Sequence, residues 1–217
     1  MKLFSKWMSR KKAQPGNADV LTPDAEPAEL FEADDISESV DSGAANRWEI
    51  PDLWHDNPES LRRHMGPTPT PELVMRVEDA LGYKLPSSYI SLMLSHNGGL
   101  VNRCRCPVPH PVEGSPDTVY ITEIMGIGFE TPYSLCGRFG SEFLIDSRRH
   151  KKDIGIAICN TTLPGRALVF LDYRGCGRTG EPCVTWADAV DGTELLLAHS
   201  FAEFVNALEA NTAREKS

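Results

Sequence analysis

The stretch from Thr70 to Leu100, TPELVMRVEDALGYKLPSSYISLMLSHNGGL, constrains the fold more than any other part of the chain. Thr70 is an N-cap residue, and Pro71 suits the first helical position, where its missing N–H has no partner to lose. Leu73, Val77 and Leu81 recur at four-residue spacing with Val74 beside them, so one helix face is apolar. Glu72, Arg76, Glu78 and Asp79 take the other faces. Gly82 stops this helix as a left-handed C′ residue. Leu85-Pro86-Ser87-Ser88-Tyr89 opens a second helix, with Ile90, Met93 and Leu94 as its buried stripe and Leu92 at the edge. Asn97-Gly98-Gly99 ends it, because Asn and Gly tolerate a left-handed backbone. The spacing predicts a helical hairpin followed by a turn.

The order of these residues is also distinctive. An amphipathic helix, then Leu81-Gly82, Leu85-Pro86 and Tyr89, then a short helix ending in Asn97-Gly98-Gly99, resembles the opening of the SUKH superfamily. That is the domain of yeast cell-wall-synthesis regulators and of many bacterial immunity proteins. Tyr133-Ser134-Leu135-Cys136-Gly137 followed by Gly140-Ser141 is similar to a segment of one bacterial subgroup. So are Leu171-Asp172-Tyr173-Arg174, Cys176-Gly177 and Gly180-Glu181-Pro182, and the start from Trp54 to Gly66. The resemblance spans about residues 48–209. It implies a sandwich-like α+β domain with a central antiparallel sheet, and binding rather than catalysis. Many bacterial relatives bind and block a cognate toxin, often a nuclease. Leu85, Pro86, Tyr89, Asn97, Gly98 and Gly99 enter as structural motif residues, with the two glycines serving the backbone. No binding residue carries over, because the interface varies in sequence.

Either side of the hairpin the chain changes character. Residues 1–12 carry five positive charges and no acid, and Leu3, Phe4, Trp7 and Met8 share a helical face suited to weak contact with an anionic membrane surface. From Ala13 to Asn46 there are nine acids and no Lys or Arg. Such a composition buries too little apolar surface to order itself, so residues 1–47 are expected to be a disordered, basic-then-acidic extension. The folded domain is expected over 48–210, beginning with a short helix from Pro58 stopped at Gly66, with Trp54 and Leu61 packing back, and ending in a frayed tail over 211–217. Val101 to Pro116 reads as a long loop and Thr118 to Ile124 as one strand. A helical piece near Glu142 leads into the basic run Arg148-Arg149-His150-Lys151-Lys152. Ile154–Cys159, Ala167–Tyr173 and Pro182–Trp186 read as strands, the first two joined by a hairpin loop. Glu194–Ala198 either extends the sheet or starts the closing segment. Ser200 and Glu203 form a capping box for a last helix with Phe201, Phe204, Val205 and Leu208 on its apolar face. The fold class is therefore α+β: a central antiparallel sheet, an N-terminal helical hairpin and a closing C-terminal helix, with helices over one face of the sheet.

Function follows by elimination as much as by pattern. A net charge of −9 disfavours a nucleic-acid binder held by phosphate contacts and suits a basic protein partner. No run approaches the ~20 apolar residues of a membrane helix, and the start has no apolar signal core, so a cytoplasmic protein with reduced cysteines is expected. Cys104, Cys106 and His110 fall short of the four placed ligands of a zinc site. Arg103 and Arg105 beside the thiols would lower a cysteine pKa, and Cys136 or Cys176 with a distant His would make a thiol pair. No G-x-S-x-G or H-E-x-x-H occurs. The expectation is a non-enzyme without cofactor or metal that binds a protein, in first place a cognate toxin and alternatively the partners of a regulatory scaffold related to cell-wall-synthesis regulators; a thiol- or metal-dependent enzyme is the third reading. Asp172, Glu181, Asp188 and Asp191 are its candidate partner-facing acidic rim, although Asp172-Tyr173-Arg174 also fits an internal salt bridge.

Overall fold

The computed structural model describes residues 48–163 and 166–210. The expectations for residues 1–47, for the Pro164-Gly165 loop tip and for the tail from 211 lie outside these residues. In chain order the elements are α1 (Pro58–His64), α2 (Pro71–Leu81), α3 (Ser87–Ser95), β1 (Gly99–Leu100), β2 (Arg105–Pro107), β3 (Thr118–Tyr120), β4 (Glu123–Ile124), α4 (Ser141–Arg148), β5 (Gly155–Asn160), β6 (Ala167–Asp172), β7 (Cys183–Asp188), β8 (Glu194–Ala198) and α5 (Phe201–Asn206). The fold is α+β, built on an antiparallel meander in the order β5-β6-β7-β8, with the small pairs β1-β4 and β2-β3.

The hairpin forms as the spacing requires. The Thr70 hydroxyl accepts from the Leu73 N–H at 3.2 Å, and Gly82 caps α2 at φ 74°. Buried Glu78 then turns the corner: its carboxylate accepts from the Leu85 N–H at 2.9 Å and pairs with Lys84 at 2.6 Å. Tyr89, fully enclosed, donates its hydroxyl to the Met125 carbonyl. Burial holds that phenol well above its ordinary pKa, so it stays a donor. Asn97 stitches two segments together. Its side-chain oxygen accepts from the Ile127 N–H at 2.7 Å, and its NH2 donates to the Ile127 carbonyl at 2.9 Å and the Pro67 carbonyl at 2.6 Å. Gly98 sits at φ 84°, and a Cβ there would collide with the Gly126 backbone. Leu85 and Pro86 are buried at the corner, and Gly99 pairs with Ile124.

Three expectations change. The strand drawn over 118–124 is two strands, because its halves find different partners: Thr118–Tyr120 pairs with β2, inside the stretch read as loop, and Glu123–Ile124 pairs with β1. The sheet is covered on both faces rather than one, since all six residues of β6 are buried. Continuous apolar runs such as ALVFLD signal two covered faces, whereas one solvated face gives alternation. Trp54 packs back against His96, with ring centroids 4.4 Å apart, but Leu61 stays about one-third exposed because α1 turns Ser60 inward. Glu194–Ala198 resolves as the edge strand β8. Ser200 caps α5 through the Glu203 N–H, while Glu203 reaches back to the His199 N–H at 2.9 Å. Phe201 packs on Tyr89 with centroids 4.7 Å apart, joining α5 to α3.

Candidate functional site

The four candidate acids do not form one rim. Asp172 pairs across the β6–β7 ladder with Cys183, and Asp188 pairs with Ala167, so the two stand at opposite ends of that hairpin. Five strand steps separate them, about 17 Å. Both are buried. The Asp172 carboxylate accepts from Arg174 Nη2 at 2.6 Å and from Thr185 Oγ1 at 3.1 Å. Burial pushes this carboxyl up, but the hydrogen bonds and charge of Arg174 outweigh it and leave the group below its ordinary value. Asp188 accepts from Arg166 Nε at 2.5 Å and from the Val190 N–H at 2.8 Å. These two are internal ion pairs, the reading that Asp172-Tyr173-Arg174 already allowed. Glu181 and Asp191 remain exposed, Asp191 bound to Arg166 at 2.7 Å.

Three of the candidate thiols are shifted away from activation. Arg105 turns to Glu209, and burial, aided by the Glu209 charge, pushes Cys106 up to about 12. Burial likewise pushes Cys136 up to about 11 and raises Cys176. A thiolate nucleophile needs the opposite shift. Among the described residues no group of three or more His, Cys, Asp and Glu is placed to hold a metal ion.

A different site emerges between α1, α4, β4, β5 and the loop 129–140. It is an open groove of about 430 Å³ lined by His64, Thr122, Glu123, Tyr133, Phe139, Phe143, Leu144, Arg148, Asn160 and Thr161. Its floor is a polar chain. Glu123, buried, meets His64 Nδ1 at 2.7 Å and accepts from the Asn160 side chain. The Asn160 oxygen accepts from Arg148 Nη2 at 2.5 Å, and Arg148 Nη1 donates to the Ala167 carbonyl at 3.2 Å. Burial draws Arg148 below its ordinary pKa, and the nearby Glu123 charge opposes that.

Its wall is a row of rings. His64 stacks on Tyr133 at 4.4 Å between centroids, Tyr133 meets Phe139 at 5.3 Å, and Phe139 meets Phe143 edge-on at 5.5 Å. Arg63 lies over Tyr133 at 5.3 Å and Arg138 over Phe139 at 5.2 Å. The loop holds its shape by bonding to itself: Ser134 N–H to Thr131 O, Gly137 N–H to Ser134 O, and Phe139 N–H to Pro132 O. A side chain at Gly137 would strike the Thr131 carbonyl, so the YSLCG turn admits only glycine there.

A His–carboxylate pair suggests half of a catalytic triad, and two hydroxyls that line the groove already have partners. The Tyr133 hydroxyl accepts from Arg63 at 3.1 Å, and the Thr161 hydroxyl donates to the Ala167 carbonyl at 3.0 Å. Glu123, Asn160 and Arg148 are hydrogen-bonded in turn, His64 meets Glu123 as an ion-pair contact, and the part above them is aromatic and cationic, with Arg138 and Phe143 exposed.

The SMI1/KNR4 family model (SUKH-1) matches residues 68–207, well over half of the chain. The chain belongs to the SMI1/KNR4 (SUKH-1) family. As a SUKH-1 domain it falls in the group of immunity and cell-wall-regulatory domains, which are generally non-enzymatic and act through protein–protein interaction. The match begins beyond α1, so Trp54 to Gly66 lies outside it although His64 serves the groove. No curated protein matches the chain. Among the described residues no helix is long and apolar enough to cross a membrane.

None of the groove residues stood among the sequence candidates. Glu123 was read as a strand residue, and Tyr133 to Ser141 only as a stretch of family resemblance. The available signal was a loop with aromatics at 133, 139 and 143 around Arg138, too polar and glycine-rich to be core.

Proposed function

We propose that this SUKH-1 domain is a non-enzymatic immunity protein that binds and neutralises a cognate toxin, such as a nuclease, in the bacterial cytoplasm. The observation that carries this reading is the groove at His64, Glu123, Tyr133 and Phe139: a linked polar floor under half-buried rings and guanidinium groups, in a domain of an interaction family. Aromatic and arginine side chains are the residues that dominate protein interfaces. The alternative is a regulatory scaffold, favoured by the charge-segregated residues 1–46, five bases then nine acids, which lie outside the matched stretch.

The test is capture on the immobilised full chain from cells that make it, followed by expression of each captured protein alone and together with this one. One dominant partner that arrests growth alone and is tolerated in co-expression supports an immunity protein. Several harmless partners, lost when residues 1–47 are removed, overturn it in favour of the scaffold. Turnover of a captured molecule would overturn both.

A further inference from the structure

We infer that the groove between α1, α4 and the 129–140 loop receives an acidic segment of the partner protein that also carries aromatic or leucine side chains. This rests on the reading of the domain as a binder and adds the chemistry of what it binds.

The domain as a whole has the opposite charge to the site. Residues 48–210 carry 14 Lys and Arg against 21 Asp and Glu. At the groove the sign reverses: Arg63, Arg138 and Arg148 line or overhang it, with Arg62 and Arg149 on the neighbouring helical ends. Nearby acids offset part of this charge: Glu123 acts on Arg148 from the floor, and Glu59 is divided between Arg62 and Arg63. No carboxylate among the described residues pairs with Arg138 or Arg149. A cationic site retained on an anionic domain selects acidic ligands and rejects basic ones, because like charges brought together in a partly desolvated groove cost affinity.

The rings set the second requirement. Phe143 is about half exposed at the groove edge, next to Phe139. Arg63 and Arg138 stand over the Tyr133 and Phe139 rings; Arg63 already donates to the Tyr133 hydroxyl and meets Glu59, whereas Arg138 pairs with no carboxylate among the described residues and offers its N–H groups to one, while the ring edges accept an apolar side chain. A partner strand with carboxylates flanking one large apolar residue satisfies both, and neither a plain anion nor a plain hydrophobe does.

The test uses the full chain and three fluorescein-labelled octapeptides: acidic residues around a central Phe-Leu pair, lysines around the same pair, and acidic residues around Ser-Ser. The first is expected to bind at least tenfold more tightly than either control and to weaken as salt rises. Arg138→Glu and Phe143→Ser change exposed side chains and keep the fold. Each is expected to weaken that peptide about tenfold, and Arg138→Glu to narrow the gap to the lysine peptide. Equal binding of acidic and lysine peptides, no binding at millimolar peptide, or indifference to both variants overturns the inference. The captured natural partner separates the two levels of argument. Loss of its binding in Phe143→Ser but not in Arg138→Glu rejects the acidic chemistry. Undiminished binding in both variants rejects the groove as interface and leaves the binding function standing.

Discussion

Two buried polar networks of this domain differ in where they end. The Asn97 network closes on itself: every bond runs from one amide side chain to backbone groups of Pro67 and Ile127, with Gly98 pressed against Gly126. The Glu123 network runs outward, from a buried carboxylate through His64 and Asn160 to Arg148, under rings that face solvent. A closed network spends all its hydrogen-bonding capacity on holding chain segments together. An open one holds side chains in place for something else to meet. Substitutions in the first should therefore read out as stability, and at the rim of the second as binding.

The largest effect should come from Gly98→Ala, which adds a Cβ at positive φ in collision with backbone. We expect a loss of about 3 kcal/mol or more in urea unfolding, or failure to accumulate as folded protein. A near-neutral result would break the picture of a sealed stitch. Asn97→Asp comes next: it keeps the acceptor for the Ile127 N–H but sets carboxylate oxygen against two carbonyls. About 2 kcal/mol should be lost at neutral pH by the same measurement. Tyr89→Phe strands the Met125 carbonyl and should cost about 1 kcal/mol.

At the open network, Phe143→Ser should leave thermal and urea unfolding within about 0.5 kcal/mol of the parent, since the ring is already half solvated, while partner binding falls. Unfolding as severe as that of Gly98→Ala would erase the distinction between the two regions.

The smallest expected effect is a pH dependence at the connection between α4 and β5. His150 is buried edge-on against Phe170, and burial first, then the charge of Arg148, draw its pKa below the ordinary value against the pull of Asp188. The unfolded chain therefore binds this proton more readily than the folded one. The contribution of His150 should be complete above about pH 6.5 and lost as pH falls below it through the folded value. Urea midpoints between pH 7.5 and 5 should decline, and His150→Gln should flatten the decline.

Local chemistry made much of the fold legible. Thr70, Gly82 and Ser200 mark helix ends by interactions within a few residues, and the β5 and β6 runs are strands wherever they are placed. Long-range partners were not legible. Nothing within Thr118–Ile124 says that its halves serve β2 and β1, because that choice is made by Cys106 and Gly99 across the fold. The groove was hidden for the same reason: His64, Glu123, Arg148 and Asn160 lie far apart in the chain and meet only after β4 is laid along β5. The acidic rim was inferred from nearness in sequence, and a hairpin sends sequence neighbours to opposite ends.

Those two hairpin ends have a further consequence. A β6 strand apolar on both faces has no inward–outward alternation to fix its alignment, so sliding it along β7 by two residues would sacrifice little hydrophobic contact. Two bonds across the β6–β7 ladder change that balance: a shifted pairing leaves the buried Asp188 carboxylate on β7 without Arg166 at the start of β6, and at the other end takes Asp172 away from the Thr185 hydroxyl. Two charges, one at each end, thus act as alignment marks for a strand that is otherwise nearly featureless.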